Sequence, residues 1–508
     1  MRSSNCVLIC LLFVVACSPK TWDQRNLHAP SRPPSPTDAA VLKIHLHSGE
    51  LVVLRDWREA DTALSGTGAW YDMDRRQVRS GTFTIPIDSI ALLETSVRHT
   101  SRPAGPTIMA VFTTIWGVFT AVCVADPKSC FGSCPTFYVA SDTGEVLAAE
   151  GFSSSIARVL EARDLDALYA ARVTGGRFTL RMRNEALETH AVRRLRLYAT
   201  PRPPGGRVFA SPDGRFFPAG TITRPTRCTA AEGDCLPALT AVDEIERVST
   251  ADSLDLATVE TIELEFPHAT GQLGLVLGAR QSLLSTFLFY QTMAYLGTQA
   301  GAMLARVERM PPEAARRIMG MARLVGRIEV ELWDRGAWRT VGTYEEAGPL
   351  ATQFTVLPFA RAATDGPVRV RIHMTKGAWR LGYVALAQLG EPATPVRLDP
   401  ESVTRDGFPD DGALATLLDS TRHLVTYPGD EYVVAFRLPN TEEDFELFLE
   451  SEGYYYEWMR QEWLAEEDAD MAALVLMQPA DGLRVLARQY RGVAPRMERL
   501  FWSSRFRR

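Results

Sequence analysis

Trp333 and Trp338 stand five residues apart, and Trp379 follows, each beside arginine or aspartate in segments that alternate apolar and charged residues. An exposed indole stacks on the apolar face of a sugar ring, and the neighbouring polar groups supply hydrogen bonds, so these three are the candidate glycan-stacking residues. Core packing is the competing account for each. A second set is acidic: Glu446, Glu450, Glu457, Glu462, Glu466, Glu467, Asp468 and Asp470 are interspersed with Tyr454, Tyr455, Tyr456, Trp458 and Trp463. A pair such as Glu450 and Glu457 on one helical face would mimic a glycosidase dyad. A solvated acidic helix face explains the same residues, and no catalytic residue is assigned. His45 and His47 share one face of a strand, but no third ligand is in view, so neither a metal nor another cofactor is expected. Ser153, Ser154 and Ser155 lack the GxSxG setting of a nucleophile and suit a helix N-cap.

Cys130/Cys134 and Cys228/Cys235 are close enough in sequence to close two small disulfide loops in an oxidising compartment. Neither spacing matches a structural zinc motif, and no CxxC redox pair is present. Cys123 lies in an apolar run and is expected as a buried thiol.

The elements that must position these residues are mostly strands. The chain has 508 residues, 46% of them hydrophobic and 23% charged, which implies several globular domains without a large disordered part. Its net charge of -6 offers no long-range attraction to nucleic acid. The expected fold class is multidomain and mainly β with helical insertions: a small SH3/Sm-like barrel, a central α+β unit, a jelly-roll-like β-sandwich and an α+β C-terminal unit. Residues 17–40, rich in proline, read as an extended tether. Alternation around Ser48-Gly49 and further short β pieces place the barrel at 41–98. Residues 99–129 contain the apolar run Ile108 to Ala125, read as a buried helix or interface segment, with membrane contact as the alternative. The disulfide-containing unit spans 130–250 and includes a helix-like stretch from Ile156 to Tyr169. The sandwich spans 251–395 with a helical insertion at 280–324, and the last unit, 396–508, begins with a hairpin followed by helices from Glu442. In the insertion Leu284, Phe287, Leu288 and Tyr295 belong to a helix apolar nearly all round, which is either buried between domains or docks a partner.

A cationic start at Arg2, an apolar run from Cys6 to Val15 and the sequence Val14-Val15-Ala16-Cys17 resemble the bacterial lipoprotein signal and its lipobox. That resemblance implies cleavage of residues 1–16, acylation of Cys17 and a lipid-anchored protein of the cell envelope. Ser18 after the cysteine is similar to the pattern of lipoproteins sorted to the outer membrane. Cys6 and Cys10 would leave with the signal, so five cysteines besides Cys17 remain. Cys130-Phe-Gly-Ser-Cys-Pro-Thr-Phe-Tyr-Val and the residues after it, about 70 in all, resemble uncharacterised bacterial envelope proteins. Residues 258–390, ending in the VRVRIH and WRLGYVAL strands, resemble a galactose-binding-like β-sandwich. These readings converge on a non-catalytic binding or scaffold lipoprotein with an envelope protein or glycan as partner. A carbohydrate-binding or carbohydrate-active envelope protein is the alternative.

Overall fold

The computed structural model describes residues 20–28, 30–37, 41–46, 48, 50–72, 77–101, 134–173, 176–186, 188–243, 245–318, 324–345, 348–361, 366–439, 444–457 and 466–504. Within these the fold is mainly β, twenty-eight strands in five sheets, and the chain divides into two units.

The first unit is built on β1 (Lys20–His28), β2 (Leu42–Leu46), β3 (Leu51–Ala60), β4 (Ala63–Tyr71), β5 (Gln77–Pro86) and β6 (Ile90–Ser101), in the order β1-β6-β2-β3-β4-β5. Alternating Leu42, Ile44 and Leu46, with Val52, Leu54, Trp57, Leu64, Ile85, Ile90 and Leu93, form its core. Gly66 and Gly68 lie inside the single strand β4, where a Cβ would collide with the β3 carbonyls of Asp56 and Val53. The tether also needs correction. Lys20–His28 pairs antiparallel with β6 from Lys20↔Ser101 to His28↔Leu93, and the Trp57 indole donates to the Pro34 carbonyl at 2.8 Å. No proline interrupts 20–28, so every backbone donor is available to the ladder.

The second unit holds two sheet pairs. One sheet of the first pair is β25-β24-β27-β10-β7-β8, formed by β7 (Thr136–Ser141), β8 (Gly144–Glu150), β10 (Arg177–Arg183), β24 (Ser402–Arg405), β25 (Phe408–Pro409) and β27 (Glu431–Arg437). The other is β23-β11-β28-β9 with β26 added to β11, from β9 (Ala162–Ala167), β11 (Glu188–Pro201), β23 (Val396–Leu398), β26 (Leu424–Thr426) and β28 (Phe445–Glu457). The second pair uses β12 (Arg207–Ala210), β13 (Phe216–Thr223), β17 (Gly271–Gln281), β20 (Gln353–Arg361) and β22 (Trp379–Leu389) in the order β12-β13-β22-β17-β20. Its partner sheet is β15-β14-β16-β21-β18-β19, from β14 (Arg227–Ala230), β15 (Gly233–Asp234), β16 (Val259–Phe266), β18 (Ile328–Asp334), β19 (Ala337–Tyr344) and β21 (Val368–Thr375). These two meet where Gly342 abuts Leu357 and where the Tyr344 and Trp379 rings lie 5.7 Å apart. The result is a β-sandwich-like arrangement.

Two expected boundaries therefore move. Strands of the sandwich begin at Arg207, within the segment assigned to the preceding unit, and residues 396–457 return to pair with 134–201. The sandwich is thus inserted between two halves of the other sheet pair. The link is β11 with β28, in register from Glu188↔Glu457 to Pro201↔Phe445, a pairing across some 250 residues that local periodicity cannot reveal. Two expected helices are also strands. The stretch 156–169 forms a short turn at Arg158–Leu160 and then β9, and the stretch from Glu442 contains the thirteen-residue β28. β28 is buried on both faces, flanked by β11 and β9, so ladder bonds override its local helix propensity.

Helices occupy α1 (Leu284–Leu296), α2 (Ala300–Val307), α3 (Pro312–Ile318), α4 (Asp411–Leu418), α5 (Ala469–Met477) and α6 (Pro479–Ser504). Among the described residues no helix is long and apolar enough to cross a membrane. Residues 1–16, Cys17, Cys123, Cys130, His47 and the run 108–125 lie outside the described residues.

Candidate functional site

The outward face of the sandwich's β14-β16-β21-β18-β19 sheet gathers the candidate site. On its inner side Ile328, Val330, Leu332, Val368, Val370 and Ile372 are fully buried. Period-two alternation therefore sends Glu329, Glu331, Trp333, Arg369, Arg371 and His373 outward. A tight turn joins β18 to β19 with Arg335 at φ 50° and Gly336 at φ 85°, the paired left-handed geometry whose twist matches a hairpin. That turn places Trp333 directly opposite Trp338. Their rings are half-buried, 5.2 Å apart and inclined at 62°.

Arginines from the next strand support the pair. The Arg371 guanidinium lies 4.0 Å from the Trp338 ring centroid, and Arg369 lies 5.3 Å from Trp333 and 5.5 Å from Trp338. Each such contact contributes about 0.5–1 kcal/mol where water has access. Arg371 is also tied to Glu263 of β16 at 2.8 Å, and His373 lies 2.7 Å from Glu331 and 2.9 Å from Thr261. Thr340 donates to Glu329 at 3.2 Å. Ordered ladders of this kind fix an aromatic pair against a polar, hydrogen-bonding background.

Trp379 does not join them. It is 1% exposed, on the sandwich's other sheet, and its buried indole N–H has no partner among the described residues. The sugar-stacking assignment of Trp379 is corrected to a core residue, because β22 sits second to neither edge of its sheet and is covered on both faces.

The docking assignment also fails. Leu284, Phe287, Leu288 and Tyr295 are 0–7% exposed. α5 and α6 cover α1: the Phe287 and Tyr490 rings are 5.1 Å apart, the Tyr295 hydroxyl donates to Gln489 at 3.0 Å, and Asp468 N–H donates to the Tyr295 carbonyl at 3.0 Å. A helix apolar all round has to be enclosed, and here its own chain encloses it.

Glu450 and Glu457 cannot act as a dyad. Seven residues apart on one strand, they point to opposite faces about 23 Å apart, far beyond the separation that either glycosidase geometry tolerates. Glu450 is 1% exposed and accepts from Tyr198 at 3.0 Å, Arg163 at 3.1 Å and Arg196 at 3.4 Å. Ser155 is buried, and the turn at Arg158–Leu160 is preceded by Ala157 without a side-chain cap, so the N-cap expectation for the serines is not met. Cys228 and Cys235 form the expected disulfide with Cα atoms 5.2 Å apart. Cys134 is buried and its N–H donates to Glu188 at 2.9 Å. His45 is buried with Nε2 3.2 Å from Glu94. Among the described residues no three histidine, cysteine, aspartate or glutamate side chains are grouped to hold a metal.

Two polar sites escaped the sequence reading. His190 and Glu188 are fully buried, with His190 Nε2 3.2 Å from Glu188. Burial holds the imidazole neutral and lowers its pKa to about 3, against the opposing pull of Glu457 and Asp430. Glu161 is also enclosed, which by itself raises its pKa. Hydrogen bonds from His423 and Arg193, reinforced by their charges, win and lower it to about 2. The Glu161 site is not legible because it joins residues far apart in sequence; Glu188 and His190 are two residues apart, and nothing local marks both as buried.

No family model matches the chain, and no curated protein matches it. Among solved structures it is similar to an alpha-xylosidase from Xanthomonas citri at 7% identity and a TM-score of 0.15, over 82% of this chain and 38% of that one. It is similar to arabinofuranosyltransferase AftD from Mycobacteria at 11% identity and a TM-score of 0.16, over 87% and 32%. A third match, the infectious bursal disease virus Gx strain, gives 10% identity and a TM-score of 0.12 over 91% and 87%. The chain thus spans less than two-fifths of the length of the first two. At these scores none of the three bears on fold or function.

Proposed function

We propose that this chain is a non-catalytic glycan-binding protein of the bacterial cell envelope, held at a membrane by lipid on Cys17. The anchor rests on the lipobox resemblance. The binding reading rests on one observation: Trp333 and Trp338 stand as a half-exposed pair on an open sheet face, braced by Arg369 and Arg371 and bordered by hydrogen-bonding side chains. Indole faces favour the apolar side of a sugar ring, and a rigid, braced pair loses little freedom on binding. The enclosed α1 removes the surface that motivated a protein-docking scaffold, and the separation of Glu450 from Glu457 removes the dyad that motivated glycoside cleavage.

The test is a glycan array probed with the full chain in detergent micelles, followed by titration of each responding glycan. Trp333→Ala and Trp338→Ala should each weaken binding at least about tenfold, as expected for a buried aromatic anchor. Absence of any glycan response, or equal affinity in both variants, contradicts the proposal. Mass spectrometry of the mature amino terminus tests the anchor: an acylated Cys17 is expected, and an intact unmodified terminus refutes it.

A further inference from the structure

Building on the glycan-binding reading, we infer that the sugar taken by this face carries a carboxylate, and that Arg369 receives it. The guanidinium of Arg369 sits at the junction of the two indoles, 5.3 and 5.5 Å from their centroids. Three other pairs on this face are engaged with one another: Arg371 with Glu263, His373 with Glu331, and Glu329 with Thr340. Among the described residues Arg369 makes no hydrogen bond or ion pair, although Glu265 stands opposite it in the ladder. Its N–H fork is therefore held in place by aromatic contact while its donors remain uncommitted. That combination suits a planar anion, which accepts two parallel hydrogen bonds from one guanidinium, better than a neutral hydroxyl.

The other uncommitted charges around Arg369 balance one another. Arg227 at the far end of the same row and Arg335 in the β18–β19 turn also make no ion pair among the described residues, against the uncommitted carboxylates Glu265 and Asp334. A hexuronate unit laid on Trp333 or Trp338 would present its ring to the indole and its carboxylate to Arg369. A neutral sugar would fill the same platform and leave the fork unanswered.

Isothermal titration of the full chain in detergent micelles decides the matter, with four probes: polygalacturonate and alginate as uronate polymers, polygalacturonate methyl ester with its charge removed, and neutral dextran. The expected result is binding to a uronate polymer that falls roughly tenfold on esterification and roughly tenfold in Arg369→Gln, with partial retention in Arg369→Lys. Glu265→Gln, which removes a repelling carboxylate without disturbing the indoles, should tighten uronate binding about twofold to threefold and leave ester binding unchanged. Equal binding of the acid and its ester, still lost in Trp333→Ala, overturns the uronate assignment and leaves the glycan reading standing. No binding of any of these probes, with a silent glycan array, overturns both. A melting curve of each variant separates lost contacts from lost fold.

Discussion

The outward face around Trp333 and the interior around Glu450 are made of the same residue types, aromatic, arginine and glutamate, on adjacent strands of two sheets. They differ in what is left uncommitted. Around Glu450 the carboxylate is 1% exposed and its oxygens are taken up by Tyr198, Arg163 and Arg196. Around Trp333 the rings are half-exposed and Arg369 spends no donor on the protein. The first arrangement holds strands β9, β11 and β28 in register. The second can spend its contacts on something else. Composition alone does not separate a site from a structural network; burial and unspent hydrogen-bonding capacity do.

The largest effect expected is on the enclosed helix. Leu284→Glu places an unpaired charge at a fully buried position and should cost more than about 4 kcal/mol, seen as loss of the cooperative urea transition. A variant of native stability would reopen α1 as an accessible surface and blur the distinction just drawn. Glu450→Ala comes next. It removes the acceptor shared by Arg163, Arg196 and the Tyr198 hydroxyl, of which Arg196 keeps Asp399, and should lower stability by about 2 kcal/mol in urea unfolding while leaving glycan affinity unchanged. Reduced affinity at unchanged stability would reverse the roles of the two regions.

A smaller effect follows from His190. Its native pKa of about 3 lies below the unfolded value of 6.5, so the unfolded chain takes up the extra proton between those limits. The associated stability is fully present above pH 6.5 and is lost as pH falls toward 3, at up to about 1.4 kcal/mol per pH unit. Glu161, depressed from 4.5 to about 2, contributes above pH 4.5 and loses that contribution only as pH falls toward 2. The window from pH 6.5 to 5 therefore separates the His190 contribution from that of Glu161. Urea unfolding of the wild type should weaken by about 1–2 kcal/mol across it, and His190→Gln should flatten that slope. An unchanged slope in the variant would locate the pH dependence elsewhere. The smallest stability effect belongs to the outward face: Trp333→Ala should cost about 1 kcal/mol or less in urea, since its ring is only half-buried, yet change binding most.

Much of the outward face could be read from the chain. The alternation in Val368-Arg-Val-Arg-Ile-His-Met and in Ile328-Glu-Val-Glu-Leu-Trp sends charges and tryptophan to one side of a half-buried sheet, and the Cys228/Cys235 loop formed as its spacing predicted. Which arginine faces which indole depends on the register of β18 against β21, which no single strand encodes. Trp379 was misplaced for a related reason. β22 is buried on both faces, so its sequence carries no marker of the inward direction. In β28 the carboxylates read as a helix surface, yet Glu450 is buried, with arginines from β9 and β11 offsetting its charge. Strands buried on both sides and pairings over hundreds of residues are where periodicity loses its force.

The most direct measurement is the indole N–H spectrum of the nitrogen-labelled full chain, with resonances assigned by single tryptophan replacement, during titration with a uronate polymer. The account predicts that the Trp333 and Trp338 signals shift together and saturably while Trp379 stays still. Shifts at Trp379 with Trp333 and Trp338 unmoved, or no shift at concentrations where calorimetry registers binding, would contradict it.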